Sequence, residues 1–250
     1  MLRTPLGTSL LGPEAGAGVS PASLITGANK GIGYEIARGL IAEGVTVLAG
    51  ARDPGRGEEA AARLGARFIQ VDVTSPESVA AAAKRIEEEY GTLDILVNNA
   101  GIALGGPSAS QTPVDMTRTV YETNVFGVIS VTNAMLPLLR RSPAARIVNV
   151  SSEVGSLGLT TDPESPFYSL IGIAYQSSKS ALNMITVCYA KEFADMKINA
   201  CNPGYCATDL NAHSGFRTAA QGAAVAVRLA LLGADGPTGA FLGDEGPLPW

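Results

Sequence analysis

The chain has 250 residues, 46% of them hydrophobic and 16% charged, enough apolar surface for one large α/β domain and too much for a disordered polymer. Its net charge is −5, from 18 basic and 23 acidic residues with no basic run, which argues against a nucleic-acid-binding surface. Three irregularly spaced cysteines (Cys188, Cys201, Cys206) and a single histidine, His213, provide neither a disulfide framework nor a zinc site.

Residues 1–20 read as a flexible Gly/Pro/Ser-rich extension. Leu10-Leu11 is broken at once by Gly12, Pro13 and Glu14, so no signal-peptide core follows Arg3. No apolar run reaches membrane-spanning length, and the expectation is a cytoplasmic protein without membrane or nucleic-acid partners. From 21 to 250 the chain reads as one domain of alternating strands and helices.

The first strand, Ser23–Thr26, runs into Gly27-Ala28-Asn29-Lys30-Gly31-Ile32-Gly33 and then the helix Gly33–Ala42. Glycines at a strand-to-helix turn let the backbone approach a diphosphate, and the helix N-terminus adds free N–H groups and a positive dipole end. The spacing is G-x-x-x-G-x-G rather than G-x-G-x-x-G, so it is the strand before and the helix after that favour a nucleotide site.

The second strand, Val45–Gly50, ends in Ala51-Arg52-Asp53-Pro54-Gly55-Arg56, before a helix over Glu58–Arg63. Arg52 lies 19 residues after Gly33 (52 − 33), where a guanidinium pairs with a ribose 2′-phosphate and a carboxylate binds a 2′-hydroxyl. Arg52 and Arg56, with Lys30, therefore favour NADPH over NADH, whereas Asp53 pointing inwards would favour NAD.

A third strand, Arg67–Val71, leads to Asp72-Val73, placed to accept from an adenine amino group or to precede the helix Pro76–Tyr90. The fourth, Ile95–Asn98, ends in Asn98-Asn99-Ala100-Gly101, a polar turn against the nucleotide or between neighbouring backbones. A long helix over Asp115–Leu139 contains Asn124, and the fifth strand, Ala145–Val150, ends in Ser151-Ser152. The irregular stretch Gly155–Gly172 reads as a substrate rim.

In the helix Tyr175–Ala194, Tyr175 and Lys179 lie one turn apart on one face. An ammonium beside a phenol favours the phenolate and lowers a pKa otherwise about 10, bringing Tyr175 towards acid–base work near neutral pH. The strand Ile198–Asn202, the turn Asn202-Pro203-Gly204, the helix Ala219–Leu231 and the strand Gly239–Leu242 complete about seven strands of a Rossmann-type doubly wound parallel sheet.

Taken in order, TGANKGIG, NNAG, NVSS, YxxxK and NPG resemble the short-chain dehydrogenase/reductase family over about residues 22–250, and within it the NADPH-dependent carbonyl reductases. The resemblance implies that Tyr175 donates a proton to a carbonyl oxygen and Ser152 hydrogen-bonds it. Lys179 would tune Tyr175 and hold the nicotinamide ribose, and Asn124 would hold a relay water. It implies that Gly27, Asn29, Lys30, Gly31, Ile32, Gly33, Arg52, Arg56, Asp72, Val73, Asn99, Ala100, Gly101, Pro203, Gly204 and Thr208 contact the cofactor, together with Tyr175 and Lys179.

The substrate implied is a small ketone or aldehyde, with Leu157, Leu159, Phe167, Tyr205 and Phe216 as apolar lining and Arg217 as a faint anchor. Oxidation of a secondary alcohol with NAD, or a non-catalytic nucleotide-binding regulator, stand as alternatives. A homodimer or homotetramer is the family's assembly. The 23 residues from Ser152 to Tyr175 (175 − 152) exceed the simplest members' spacing and put that assembly in doubt.

Overall fold

The computed structural model describes residues 20–104 and 108–250, so the expected extension over 1–20 lies outside the described residues save for Ser20. Seven strands form one parallel sheet: β1 (Ala22–Thr26), β2 (Thr46–Ala51), β3 (Arg67–Gln70), β4 (Ile95–Asn98), β5 (Arg146–Val150), β6 (Lys197–Cys201) and β7 (Phe241–Leu242). Their order is β3-β2-β1-β4-β5-β6-β7. The chain winds outward from β1 to β3, returns to β4 and winds the other way. The crevice beyond β1 and β4 is therefore the topological switch point.

The expected strands all form, with ends shifted by a residue or two. Their near-continuous apolar character follows from burial on both faces. Side-chain direction alternates along a strand, so Ile25, Val47, Val97 and Val148 pack with the helices α1 (Gly31–Ala42), α2 (Pro54–Leu64) and α8 (Ala219–Ala230). Leu24, Leu48, Leu96 and Ile147 face the opposite layer, in which α3 (Pro76–Tyr90), α5 (Gly127–Leu139) and α7 (Ala174–Glu192) lie. Two smaller helices complete the set: α4 (Val114–Tyr121) before α5, and α6 (Leu157–Thr160) before α7. Among the described residues no helix is long and apolar enough to cross a membrane.

Local signals account for the helix ends. Asp53 accepts from the Arg56 N–H at 2.8 Å and Pro54 occupies the first turn, which starts α2 four residues before the expected Glu58. Ser75 and Pro76 open α3, and Gly91, at φ +71°, ends it. The expected single helix over 115–139 is instead α4 and α5 joined by a π turn at Glu122–Phe126, which carries Asn124. The rim stretch contains a 3-10 turn (Glu153–Gly155) and α6. The Ser156 hydroxyl caps α6 by accepting from the Leu159 N–H at 3.1 Å, and donates to the Pro249 carbonyl at 2.7 Å. Trp250 stacks on Phe241, ring centroids 5.5 Å apart, and so packs on its own core.

Leu24 is fully buried in the central strand β1. Leu24→Ala should lower unfolding stability by about 2–5 kcal/mol. In urea melts the midpoint falls while the slope stays that of the wild type.

Candidate active site

The site begins at the glycine turn. Gly27 and Gly31 have φ of +67° and +57°, a region that L side chains rarely adopt. A Cβ at Gly33 would lie 2.4 Å from the Gly27 carbonyl oxygen and 2.3 Å from the Asn99 amide nitrogen, so the turn folds onto α1 only with glycine there. Lys30, the N-cap of α1, makes no side-chain cap, and the first-turn N–H groups of α1 face the crevice without one. Asn29 and Ile32 are half-buried, and Ile32 packs on the core beneath the turn. A glycine-lined turn feeding an uncapped helix N-terminus fits a diphosphate.

Asn99 holds this turn from the next strand. Its amide donates to the Thr26 carbonyl at 2.9 Å and the Gly27 carbonyl at 3.2 Å, while the Thr26 hydroxyl accepts from the Asn99 and Ala100 N–H groups at 3.0 Å. The reading of this polar turn as a clamp between backbones is thus the geometry observed. Gly101 continues it towards Lys179, whose Nζ lies 3.8 Å from where a Gly101 Cβ would stand.

Beyond β2, Arg52 and Arg56 are exposed and form no ion pair among the described residues. The Asp53 carboxylate is turned to the N-terminus of α2, not inwards. Beyond β3, Asp72 accepts from the Thr74 N–H and hydroxyl through one oxygen, and Val73 packs against Gly127.

Lys30 meets a carboxylate from the loop after β6. Its ammonium is 2.6 Å from Asp209, which also meets His213 at 2.9 Å. The reason is placement: Thr208 lies over Gly31, 3.6 Å from its missing Cβ, so the next residue reaches across the crevice mouth. Asp209 is held below the usual carboxylate range, chiefly by the Lys30 hydrogen bond.

At the ends of β4 and β5 a buried polar string joins sheet to helices. The Asn98 amide donates to Asn149 at 2.9 Å and Thr132 at 3.1 Å, and the Asn149 amide donates to Thr186 at 2.8 Å. The Ser151 hydroxyl donates to Asn183 at 2.5 Å. This sets β5 against α7 and brings Ser152 near Tyr175, where the Ser152 side chain pulls the phenol's pKa down.

Lys179 is 5% exposed; its Nζ donates to the Val150 carbonyl at 2.8 Å and lies 5.6 Å from the centre of the Tyr175 ring. Burial lowers Lys179 to about 8, opposed in part by Cys201. The expected lowering of Tyr175 is not what this geometry produces. Part of the Tyr175 surface stays accessible, but packed protein desolvates the phenol and pushes it up to about 12, and Ser152 offsets that only in part.

Asn124 sits on the π turn facing this group. Its amide donates to the Ile102 carbonyl at 2.9 Å and the Ser178 hydroxyl at 3.0 Å, and its oxygen accepts from the Ile102 N–H at 2.9 Å. The side chain is therefore a clamp between α7 and the irregular segment after Gly101, with one acceptor lone pair left over. Ser178, its partner, carries no signal in the sequence although it lies inside the YxxxK motif.

After β6, Gly204 (φ +72°) turns the chain under the Arg217 side chain, and the Pro203 carbonyl accepts from the Cys206 thiol at 3.3 Å. Arg217 is engaged with Asp244 and is no free anchor. Among the apolar candidates, Leu157 is 65% and Phe216 85% exposed; the Tyr205 and Phe216 rings pack 6.0 Å apart, and Leu159 and Phe167 are half-buried. They form an open rim.

A family model described as short chain dehydrogenase matches residues 22–217. Carbonyl reductase (NADPH) 1 of Rattus norvegicus is 35% identical, over 92% of this chain and 98% of its own. A (+)-neomenthol dehydrogenase of Capsicum annuum is 32% identical over 88% and 94% respectively. In structure, the NADPH-bound carbonyl reductase from chicken fatty liver superposes with a TM-score of 0.81 at 28% identity, covering 92% of this chain and 99% of that one.

The buried ammonium has a measurable consequence. An unfolded lysine titrates at about 10.4, against about 8 for Lys179. Below about pH 8 both states hold the proton and the cost of burying the cation is fully present. Between about pH 8 and 10 the unfolded chain binds more protons, so stability rises with pH. Cys201, whose buried thiol is pushed up to about 12, opposes this from about pH 9, and Tyr175, shifted upwards, from about pH 10. Denaturant melts across this range should show the stability of the wild type rising with pH relative to that of Lys179→Met, the difference growing from about pH 8 to 10.

Proposed function

The chain belongs to the short-chain dehydrogenase/reductase family, and on that premise we propose that it is an NADPH-dependent reductase of a ketone or aldehyde, with residues 21–250 as one catalytic domain. The observation that carries the cofactor choice is the Asp53 carboxylate committed to the N-cap of α2, beside Arg52 and Arg56 with no ionic partner among the described residues. A carboxylate so engaged does not meet a ribose 2′-hydroxyl, and two free guanidinium groups suit a 2′-phosphate. The carbonyl reductases named above, described with NADPH, support the same choice.

On this reading the glycine turn from Gly27 to Gly33 and the N-terminus of α1 hold the diphosphate. Asp72 and Val73 border the adenine, Asn99–Gly101 support the ribose, and Pro203, Gly204 and Thr208 border the nicotinamide end. Lys30 exchanges Asp209 for phosphate. NADPH, when bound, supplies the hydride for the carbonyl carbon. The Tyr175 phenol, protonated throughout the neutral range, gives its proton to the developing alkoxide, a stronger base than phenolate. Ser152 donates a hydrogen bond to the same oxygen, and the Lys179 ammonium stabilises the phenolate left behind. A phenol raised to about 12 holds its proton throughout the neutral range, the form in which a donor to a carbonyl oxygen starts. Three free cysteines accord with a cytoplasmic location, where thiols stay reduced.

Purified protein should oxidise NADPH with members of a panel of ketones, aldehydes, α-keto esters and quinones. Tyr175→Phe should lose about 10²–10⁴-fold in kcat while still binding NADPH. Tight NADPH binding with no turnover across the panel would point to a nucleotide-binding regulator instead. Separately, Arg52→Asp with Arg56→Asp should shift the NADPH:NADH ratio of kcat/KM towards NADH by about tenfold or more.

A further inference from the structure

Ser152 is followed by Glu153, a half-buried carboxylate to which neither the sequence motifs nor the proposed mechanism gives a task. Its backbone N–H donates to the Asn202 side-chain oxygen at 3.3 Å, and the Asn202 amide donates back to the Glu153 carboxylate at 2.8 Å. The same Asn202 oxygen accepts from the Gly204 N–H at 3.1 Å. Asn202 is 8% exposed, and its own N–H donates to the Leu242 carbonyl at 2.8 Å, so it is anchored to β7. Burial pushes the Glu153 carboxyl up, while the Asn202 hydrogen bond and the Arg217 charge pull it down.

This reciprocal pair joins two turns separated by 49 residues, one carrying Ser152 and the other Pro203–Gly204. The first turn is held by α7 on its other side. The Ser180 hydroxyl and the Asn183 amide donate to the Gly155 carbonyl at 2.8 and 3.3 Å, and a Gly155 Cβ would stand 2.6 Å from Lys179. The Ser152 and Glu153 carbonyls accept from the Gly155 and Ser156 N–H groups at 3.0 Å within the 3-10 turn. The bonds to Asn202 are what tie this turn to the Pro203–Gly204 turn.

We propose that Glu153 is a positioning residue that, through Asn202, orients the Ser152 hydroxyl towards Tyr175 and sets the Pro203–Gly204 turn against the same site. The proposal rests on the roles given above to Ser152 and Gly204. What position 153 must supply is a hydrogen-bond acceptor facing a donor at 202. Packing volume alone does not supply it.

The test exchanges donor and acceptor. Asn202→Asp sets two carboxylates against each other, whereas Asn202→Asp combined with Glu153→Gln restores the pair with the hydrogen bond reversed. The carboxylate introduced at position 202 then still accepts from the backbone N–H groups of positions 153 and 204. Glu153→Ala removes the acceptor outright.

In the cofactor-free protein, amide hydrogen exchange over 152–155 and 202–208 should quicken at least about tenfold in both single variants. It should return to within about threefold of wild type in the double variant. With a substrate from the panel, kcat should fall about tenfold in the single variants with little change in KM, and recover in the double variant.

Exchange and kcat unchanged in Asn202→Asp and Glu153→Ala would overturn the proposal. So would a folded double variant no better than Asn202→Asp. If the wild type proves to bind no NADPH, the proposed function falls, and loss and recovery of exchange protection still decide whether the pair orders both turns.

Discussion

A parallel sheet covered by helices on both faces has almost no room for polar side chains except at the ends of its strands. That constraint gathers many of the described buried polar residues at the carboxyl ends of β4, β5 and β6 and on the adjoining face of α7. There each must find a partner, because an unsatisfied buried donor or acceptor costs about 1–3 kcal/mol. Asn98, Asn149, Thr132 and Thr186 satisfy one another, Ser151 meets Asn183, and the Lys179 ammonium reaches the Val150 carbonyl. The chemistry of the site is thus held by the same bonds that let the strand ends be buried. Ser152 and Tyr175 are brought together by rigid elements and owe little to the loop between them.

The electrostatics follow from that burial. A cation inside protein favours its neutral form and a phenol does the same, so Lys179 and Tyr175 move in opposite directions, down to about 8 and up to about 12. Tyr175 therefore holds its proton and Lys179 still carries most of its charge near neutral pH, the pairing a proton donor needs. The ion pair between Lys30 and Asp209 is of another kind. It spans the crevice mouth in contact with water, where such pairs are weak and readily exchanged.

Much of this is legible along the chain. Strand and helix alternation, proline and serine at helix starts and glycine at helix ends are local signals, and the sheet and most helix bounds agree with them within a few residues. The start of α2 departs from the expected Glu58 because Asp53, which would favour NAD only if it pointed inwards, caps the helix with its carboxylate. The π turn at Glu122–Phe126 leaves no mark in the sequence: it inserts one residue into a helix whose apolar periodicity barely changes, and it serves contacts to Ile102 and Ser178 that are remote in sequence.

From its residues alone, the chain determined the class of fold, the glycine turn, the order of the motifs and the side chains that meet beyond the sheet. These depend on backbone conformation and on periodicity, which neighbouring residues set. Only the tertiary structure decided which partner each charged group takes. Asp53 goes to a helix end, Lys30 to Asp209, Arg217 to Asp244 and Glu153 to Asn202. It also decided that at Tyr175 burial outweighs the opposing pull of Ser152. Hydrogen-bond partners and dielectric surroundings are properties of the packed chain, fixed by residues tens to hundreds of positions away, and no local pattern records them.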